Sequence, residues 1–214
     1  VSDPHPEYLA PYHRATREHG PTFRATLWAS REKQIGRFEV LCGLEDLTGA
    51  TVLDAGSGAG DLAGFLNERG VRYAGYLGLE GVPELVQAGR ERGFRRAEFL
   101  ERDFVGDERA FRDAADALGG ADCVVFSGSL NTLALDDAIA ALDRAWAVTR
   151  RALLFNFLST RRGHHQPPPA PDDPARRLDP LPLLDWALGR TPNVLFRQDY
   201  FAGHDATISM RRPS

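Results

Sequence analysis

Residues 51–66 read TVLDAGSGAGDLAGFL, an apolar run that breaks into three alternating glycines and then resumes with helical spacing. Val52 and Leu53 suit a buried strand, Asp54 stands at its carboxyl end, and Leu62, Phe65 and Leu66 recur along one helix face. Gly56, Gly58 and Gly60 belong in the bend between, because a side chain there would forbid the tight turn or hold a ligand off the backbone. Gly70 closes the helix as a left-handed cap. A strand, a glycine turn and a helix in that order are the unit that grips nucleotide-type ligands.

The remainder of the chain repeats this alternation. Strand patterns fall at 51–54, 76–80, 97–100, 123–127 and 153–159, with helical patterns at 61–69, 83–92, 107–118 and 136–149. In the last helix Ile139, Leu142 and Trp146 share a stripe, and Asp136 and Asp137 lie at the end where the helix dipole favours acids. Such alternation predicts a parallel sheet covered on both faces. Residues 194–201 and 206–211 are β-rich and separated by a short turn containing Gly203, which predicts an antiparallel hairpin. Upstream, Ile35, Phe38, Leu41 and Leu44 mark one face of a helix that starts after Ser30 and ends near Gly43.

Composition narrows the partners. The 214 residues carry a net charge of −4, 43% hydrophobic and 26% charged residues, an ordinary balance for one soluble domain. An acidic chain whose arginines are interspersed with aspartates and glutamates lacks the clustered cations of nucleic-acid affinity. No apolar run is long enough to span a bilayer and no signal segment opens the chain, so the expected compartment is the cytoplasm. Cys42 and Cys123 are too far apart for a metal or redox pair and read as reduced core residues. His164 and His165 are adjacent, point apart in an extended chain and have no third ligand nearby, so no metal is expected.

A dinucleotide fingerprint places glycines at the first, third and sixth positions of the turn, but counted from Gly56 the sixth is Asp61. The spacing D-x-G-x-G-x-G, from Asp54 to Gly60, resembles motif I of the class I S-adenosylmethionine-dependent methyltransferases. The terminal hairpin extends that resemblance over about 51–212. The fold class expected is α/β: a doubly wound, mostly parallel seven-stranded sheet with a C-terminal antiparallel hairpin and an N-terminal helical cap. Residues 1–49 would form the cap and 50–214 the methyltransferase domain.

The resemblance implies S-adenosylmethionine as cofactor, held by Asp54, Gly56, Ser57, Gly58 and Gly60. Glu80, followed by Gly81, stands about twenty residues beyond the turn, where a carboxylate accepts from both ribose hydroxyls. Asp103 would accept from the adenine amine and Phe104 would cover the ring. Ser127 and Gly128 would pass between cofactor and acceptor, and Arg37, near Trp28 and Gln34, would make a bidentate contact with the methionine carboxylate. The segment SGSLN, 127–131, lacks the prolines of nucleic-acid amino-methylating enzymes, and Cys123 sits within a strand, away from a nucleophile's place.

The acceptor expected is therefore a small molecule, neither nucleic acid nor membrane, with a protein or carboxylate acceptor left open. No catalytic residue is singled out. A hydroxyl acceptor would need a base, for which His13, His164, His165 and His204 are nominees. The proline-rich stretch 160–182 reads either as a lid beside the acceptor or as an exposed loop. Two rivals stand beside this reading: a noncatalytic S-adenosylmethionine-binding scaffold of the same fold, and a nicotinamide-dependent oxidoreductase with an irregular fingerprint.

Overall fold

The computed structural model describes residues 5–161 and 174–213; His164, His165 and most of the proline-rich stretch lie outside the described residues. Two helices come first, α1 (Ala10–His19) and α2 (Arg31–Leu44). Strands and helices then alternate: β1 (Thr51–Ala55), α3 (Asp61–Glu68), β2 (Gly75–Glu80), α4 (Pro83–Glu91), β3 (Ala97–Glu101), α5 (Ala110–Ala117), β4 (Ala121–Phe126), α6 (Leu135–Val148) and β5 (Thr149–Leu158). The chain ends with α7 (Pro180–Leu188), β6 (Val194–Arg197) and β7 (Asp205–Arg211).

The seven strands form one sheet in the order β3-β2-β1-β4-β5-β7-β6. β1 to β5 pair in parallel, and β7 pairs antiparallel with both β5 and β6. The order reverses between β1 and β4, which opens a crevice at the carboxyl ends of those strands. Side-chain alternation sorts the core into two layers. Leu53, Leu79, Val124, Phe126 and Phe155 pack toward α5, α6 and α7, whereas Val52, Tyr76, Val125 and Leu154 pack toward α2 and α3. Phe126 is fully buried against Phe104 and Phe111, and its truncation to alanine would cost about 3–5 kcal/mol.

Local signals set the ends of several elements. The Ser30 side chain accepts from the Lys33 amide at 3.3 Å and starts α2. After α3, Gly70 takes φ +71° while its amide donates to Asn67 O and that of Val71 to Leu66 O, closing the helix.

Three expectations need correction, and one helix was not expected. Ile35 is exposed, and the buried side of α2 holds Gln34, Arg37, Phe38, Val40 and Leu41. Helix α1 carried no periodic apolar signal, because it buries Ala10, His13, Ala15 and Thr16. Helix α7 begins inside the stretch read as non-helical: Asp179 accepts from the Leu181 amide at 3.1 Å, and Pro180 occupies a first turn that needs no N–H. The first hairpin strand stops at Arg197, and the connection to β7 includes a short 3-10 turn, Phe201–Gly203.

Candidate active site

The carboxyl ends of β1, β2 and β4, with residues of α1 and α2, surround a cavity of about 400 Å³. That size falls within the range of small-molecule sites. Eleven of the twelve residues expected to bind a cofactor line it: Asp54, Gly56, Ser57, Gly58, Glu80, Gly81, Asp103, Phe104, Ser127, Gly128 and Arg37.

Gly60 does not. It takes φ +79° as the residue before α3, and a Cβ there would sit 2.5 Å from Phe99 Cζ, so its role is in the packing of turn against strand. Gly56 is similar in kind, since a Cβ would come within 2.3 Å of Ser129 Cβ. Gly58 differs: φ is +55° and the nearest atom to a Cβ is Thr26 Cγ2 at 3.6 Å. Its face is open to the cavity.

Glu80 ends β2 with one carboxylate oxygen accepting from the Gly58 amide at 2.8 Å and the other from the Val82 amide at 2.9 Å. Each oxygen keeps a second lone pair. Burial raises its pKa, and the backbone amides of Gly58 and Val82 oppose that rise. Asp54 is buried at the end of β1, where the Tyr76 hydroxyl donates to it. Burial pushes its pKa up to about 7, Tyr76 opposes the rise, and Glu80 and Asp61 add to it.

Past β3, Asp103 accepts from the Val105 amide at 2.9 Å and from the Tyr8 hydroxyl at 2.6 Å. Burial and this hydrogen bond raise the Tyr8 pKa well above its ordinary value. The expected adenine acceptor thus already holds a tyrosine from the cap. Phe104 packs its ring edge-on to Phe126 at 5.6 Å. After β4, the Gly128 amide donates to Asn156 Oδ1 at 2.8 Å, and Trp28 packs so closely that a Cβ on Gly128 would lie 2.7 Å from its ring.

Arg37 is buried, stacks over Trp28 at 4.3 Å and turns both Nε and Nη2 to Asp205 Oδ1. The expected bidentate edge is therefore engaged by Asp205, although Arg37 still lines the cavity. Sequence reasoning missed Tyr8, Tyr12, Lys33, Thr132 and Arg177 in the cavity wall. They come from α1, α2 and loops, and no local motif marks them. Asp61 carried a signal, as the non-glycine at the sixth turn position; its carboxylate binds Gln34 at 2.9 Å and Arg92 at 2.7 Å.

Of the described histidines only His204 lines the cavity. His13 is buried and stacks on His5 at 3.5 Å. His204 Nε2 lies 2.7 Å from Arg177 Nη2 and Nδ1 lies 3.4 Å from Asp205 Oδ2. Since guanidinium only donates, Nε2 accepts and the ring is neutral, in keeping with a pKa lowered by burial. Among the described residues, no three His, Cys, Asp or Glu side chains cluster as a metal site, and no helix is long and apolar enough to cross a membrane.

No family model matches the sequence, and no curated protein matches it. Solved structures do. A magnesium protoporphyrin IX methyltransferase (ChlM) from Synechocystis PCC 6803 with bound SAM is 12% identical, with a TM-score of 0.66 and 100% of both chains covered. A DhpI-SAM-HEP complex is 16% identical at a TM-score of 0.63, covering 97% of this chain and 96% of that one. An O-methyltransferase family protein from Burkholderia thailandensis is 17% identical at 0.62, covering 97% and 72%. With its strand order, terminal hairpin and glycine turn, this chain has the Rossmann-like fold of the class I S-adenosylmethionine-dependent methyltransferases.

Proposed function

We propose that the chain binds S-adenosylmethionine above the glycine turn and transfers its methyl group to a small-molecule acceptor. The observation that carries this reading is Glu80: a carboxylate fixed by two backbone amides at the end of β2, facing the cavity beside the open Gly58. Its spare lone pairs suit the vicinal hydroxyls of a ribose. Solved structures of the same fold contain SAM or SAH by their own descriptions.

The other residues fit the same group. Asp54 and Asp61 line the cavity beside the turn and present carboxyl oxygens to the group above it. Asp103 and the Phe104 ring suit an amine-bearing base, Ser127 and Gly128 suit the passage to the acceptor, and Arg37 suits a carboxylate. When bound, S-adenosylmethionine supplies a methyl group already activated by its sulfonium. The protein's task is alignment and exclusion of water, which the cap performs through Tyr8, Tyr12 and Trp28. For a hydroxyl acceptor, His204 is the neutral group that takes a proton at Nε2 once Arg177 releases it.

Calorimetric titration with S-adenosylmethionine, S-adenosylhomocysteine and the nicotinamide dinucleotides tests the cofactor. Binding of the first two alone is expected, and a nicotinamide preference would refute the reading. Incubation with methyl-labelled cofactor and a metabolite extract then tests turnover. Label in a small-molecule fraction supports it; tight binding with no label in any fraction favours a scaffold.

A further inference from the structure

Gln34 lies on α2, is only 3% exposed and lines the cavity. Its Nε2 donates to Asp61 Oδ2 at 2.9 Å. Its Oε1 receives no hydrogen bond among the described residues, yet it is not sealed in the packing as Thr16 Oγ1 and Ser209 Oγ are. With the residue all but excluded from bulk water, that oxygen opens on the cavity. A carbonyl oxygen withdrawn from water and left unpaired is costly, so one that faces a cavity marks the place of a donor.

Which end of the amide faces Asp61 follows from the other partners of that acid. Asp61 is the first residue of α3; its Oδ1 accepts from Arg92 Nη1 at 2.7 Å, and Arg31 Nη1 lies 3.6 Å away. A carboxylate between two guanidinium groups only accepts, so it selects the NH2 end of Gln34 and leaves the carbonyl end for a ligand. Arg92 also donates to Ala59 O at 3.0 Å, which ties this acid to the glycine turn.

The order of the sheet says which part of a ligand passes Gln34. Asp103 follows β3, Glu80 ends β2 and the glycine turn follows β1, and these strands are neighbours about 4.8 Å apart. With a base at Asp103 and a ribose at Glu80, the tail of the ligand continues over β1 to the start of α3, where Asp61 holds Gln34. Arg37 lies three residues further along α2 and lines the same cavity, so the two side chains are neighbours on one face.

We infer that Gln34 Oε1, oriented by Asp61, receives the α-ammonium of the bound S-adenosylmethionine and makes the site selective for a cofactor with a free α-amino group. This rests on the cofactor reading and adds to it the residue that recognises the amine. The ammonium brings three donors, and its hydrogen bond to a carbonyl is charge-assisted. A carboxylate in place of Gln34 would meet Asp61 with like charge, whereas the amide donates to the acid and accepts from the cation.

The test is calorimetry on the whole chain with S-adenosylhomocysteine, the analogue in which hydrogen replaces its α-amino group, and the analogue in which hydrogen replaces its carboxylate. The wild type should bind S-adenosylhomocysteine about tenfold or more tightly than the deaminated analogue. Gln34→Met should bind those two within about twofold of each other and keep the wild-type preference over the decarboxylated analogue. Asp61→Asn, which frees the amide to turn, should shrink the wild-type ratio by about threefold or more. The inference is overturned if the wild type binds the first two ligands alike or if Gln34→Met keeps the wild-type ratio. It is overturned too if Gln34→Met weakens all three ligands equally, since Gln34 would then be a wall residue alone. An unchanged ratio in Asp61→Asn overturns the orientation by Asp61, and that variant with the wild type decides the matter if Gln34→Met fails to fold. Binding of S-adenosylhomocysteine without discrimination leaves the cofactor reading standing; binding of none of the three removes that reading and this inference with it.

Discussion

At the glycine turn, Glu80 is held by backbone amides 22 and 2 residues away, whereas at the far end of the cavity Arg37 is held by Asp205, 168 residues along the chain. The first arrangement follows from a strand, a bend and the next strand lying side by side. The second exists only once the cap has docked on the hairpin. A ligand site assembled from both has one wall set by local backbone geometry and one set by tertiary packing of buried charge.

The difference in anchoring gives the largest expected effect. Arg37→Met leaves the buried Asp205 without its cationic partner, facing only the neutral His204, and should destabilise the protein by about 3–5 kcal/mol in a denaturant melt. Adding Asp205→Leu should recover much of that loss. An unaltered midpoint for the single variant would show that the cap wall does not depend on the pair.

The acid wall responds to pH instead. Asp54 is protonated in the fold up to about pH 7, while in the unfolded chain it ionises from about pH 4. Between those values the folded state binds more protons, so this group's contribution is greatest at the acid end and falls as pH rises toward 7. Asp54→Asn should flatten that dependence and raise stability at pH 8 by about 1–3 kcal/mol. Melts across pH 4 to 8 that show the same slope for both proteins would contradict it.

Within the turn, Gly56→Ala should cost about 1–3 kcal/mol, because its Cβ meets Ser129. Gly58→Ala should cost only about 1 kcal/mol of backbone strain, with no clash, yet weaken cofactor binding. Equal melting losses for the two would mean that the open face of Gly58 is not real.

Legibility in the sequence tracks the same division. Asp54, Gly58 and Glu80 were readable because spacing along one βαβ unit places them, and the hairpin was readable because β-rich runs flank a glycine. Gly60 shares the glycine spacing but does not line the cavity, since its left-handed backbone serves helix entry against Phe99, a distinction that spacing does not carry. Helix α1 escaped because it buries alanines, a histidine and a threonine. Lys33 and Arg177 escaped because nothing local marks a cation that meets its neighbours only across the fold. His204 was nominated by residue type, and position in the fold separated it from His13.

The most direct trial of the ribose-to-Glu80 contact is a binding cycle using S-adenosylhomocysteine and its 3′-deoxy analogue on the wild type and Glu80→Ala. The wild type should lose about 1–3 kcal/mol when the hydroxyl is removed, and the variant should bind both ligands alike. Equal affinity of the wild type for both, or an undiminished difference in Glu80→Ala, would contradict the account.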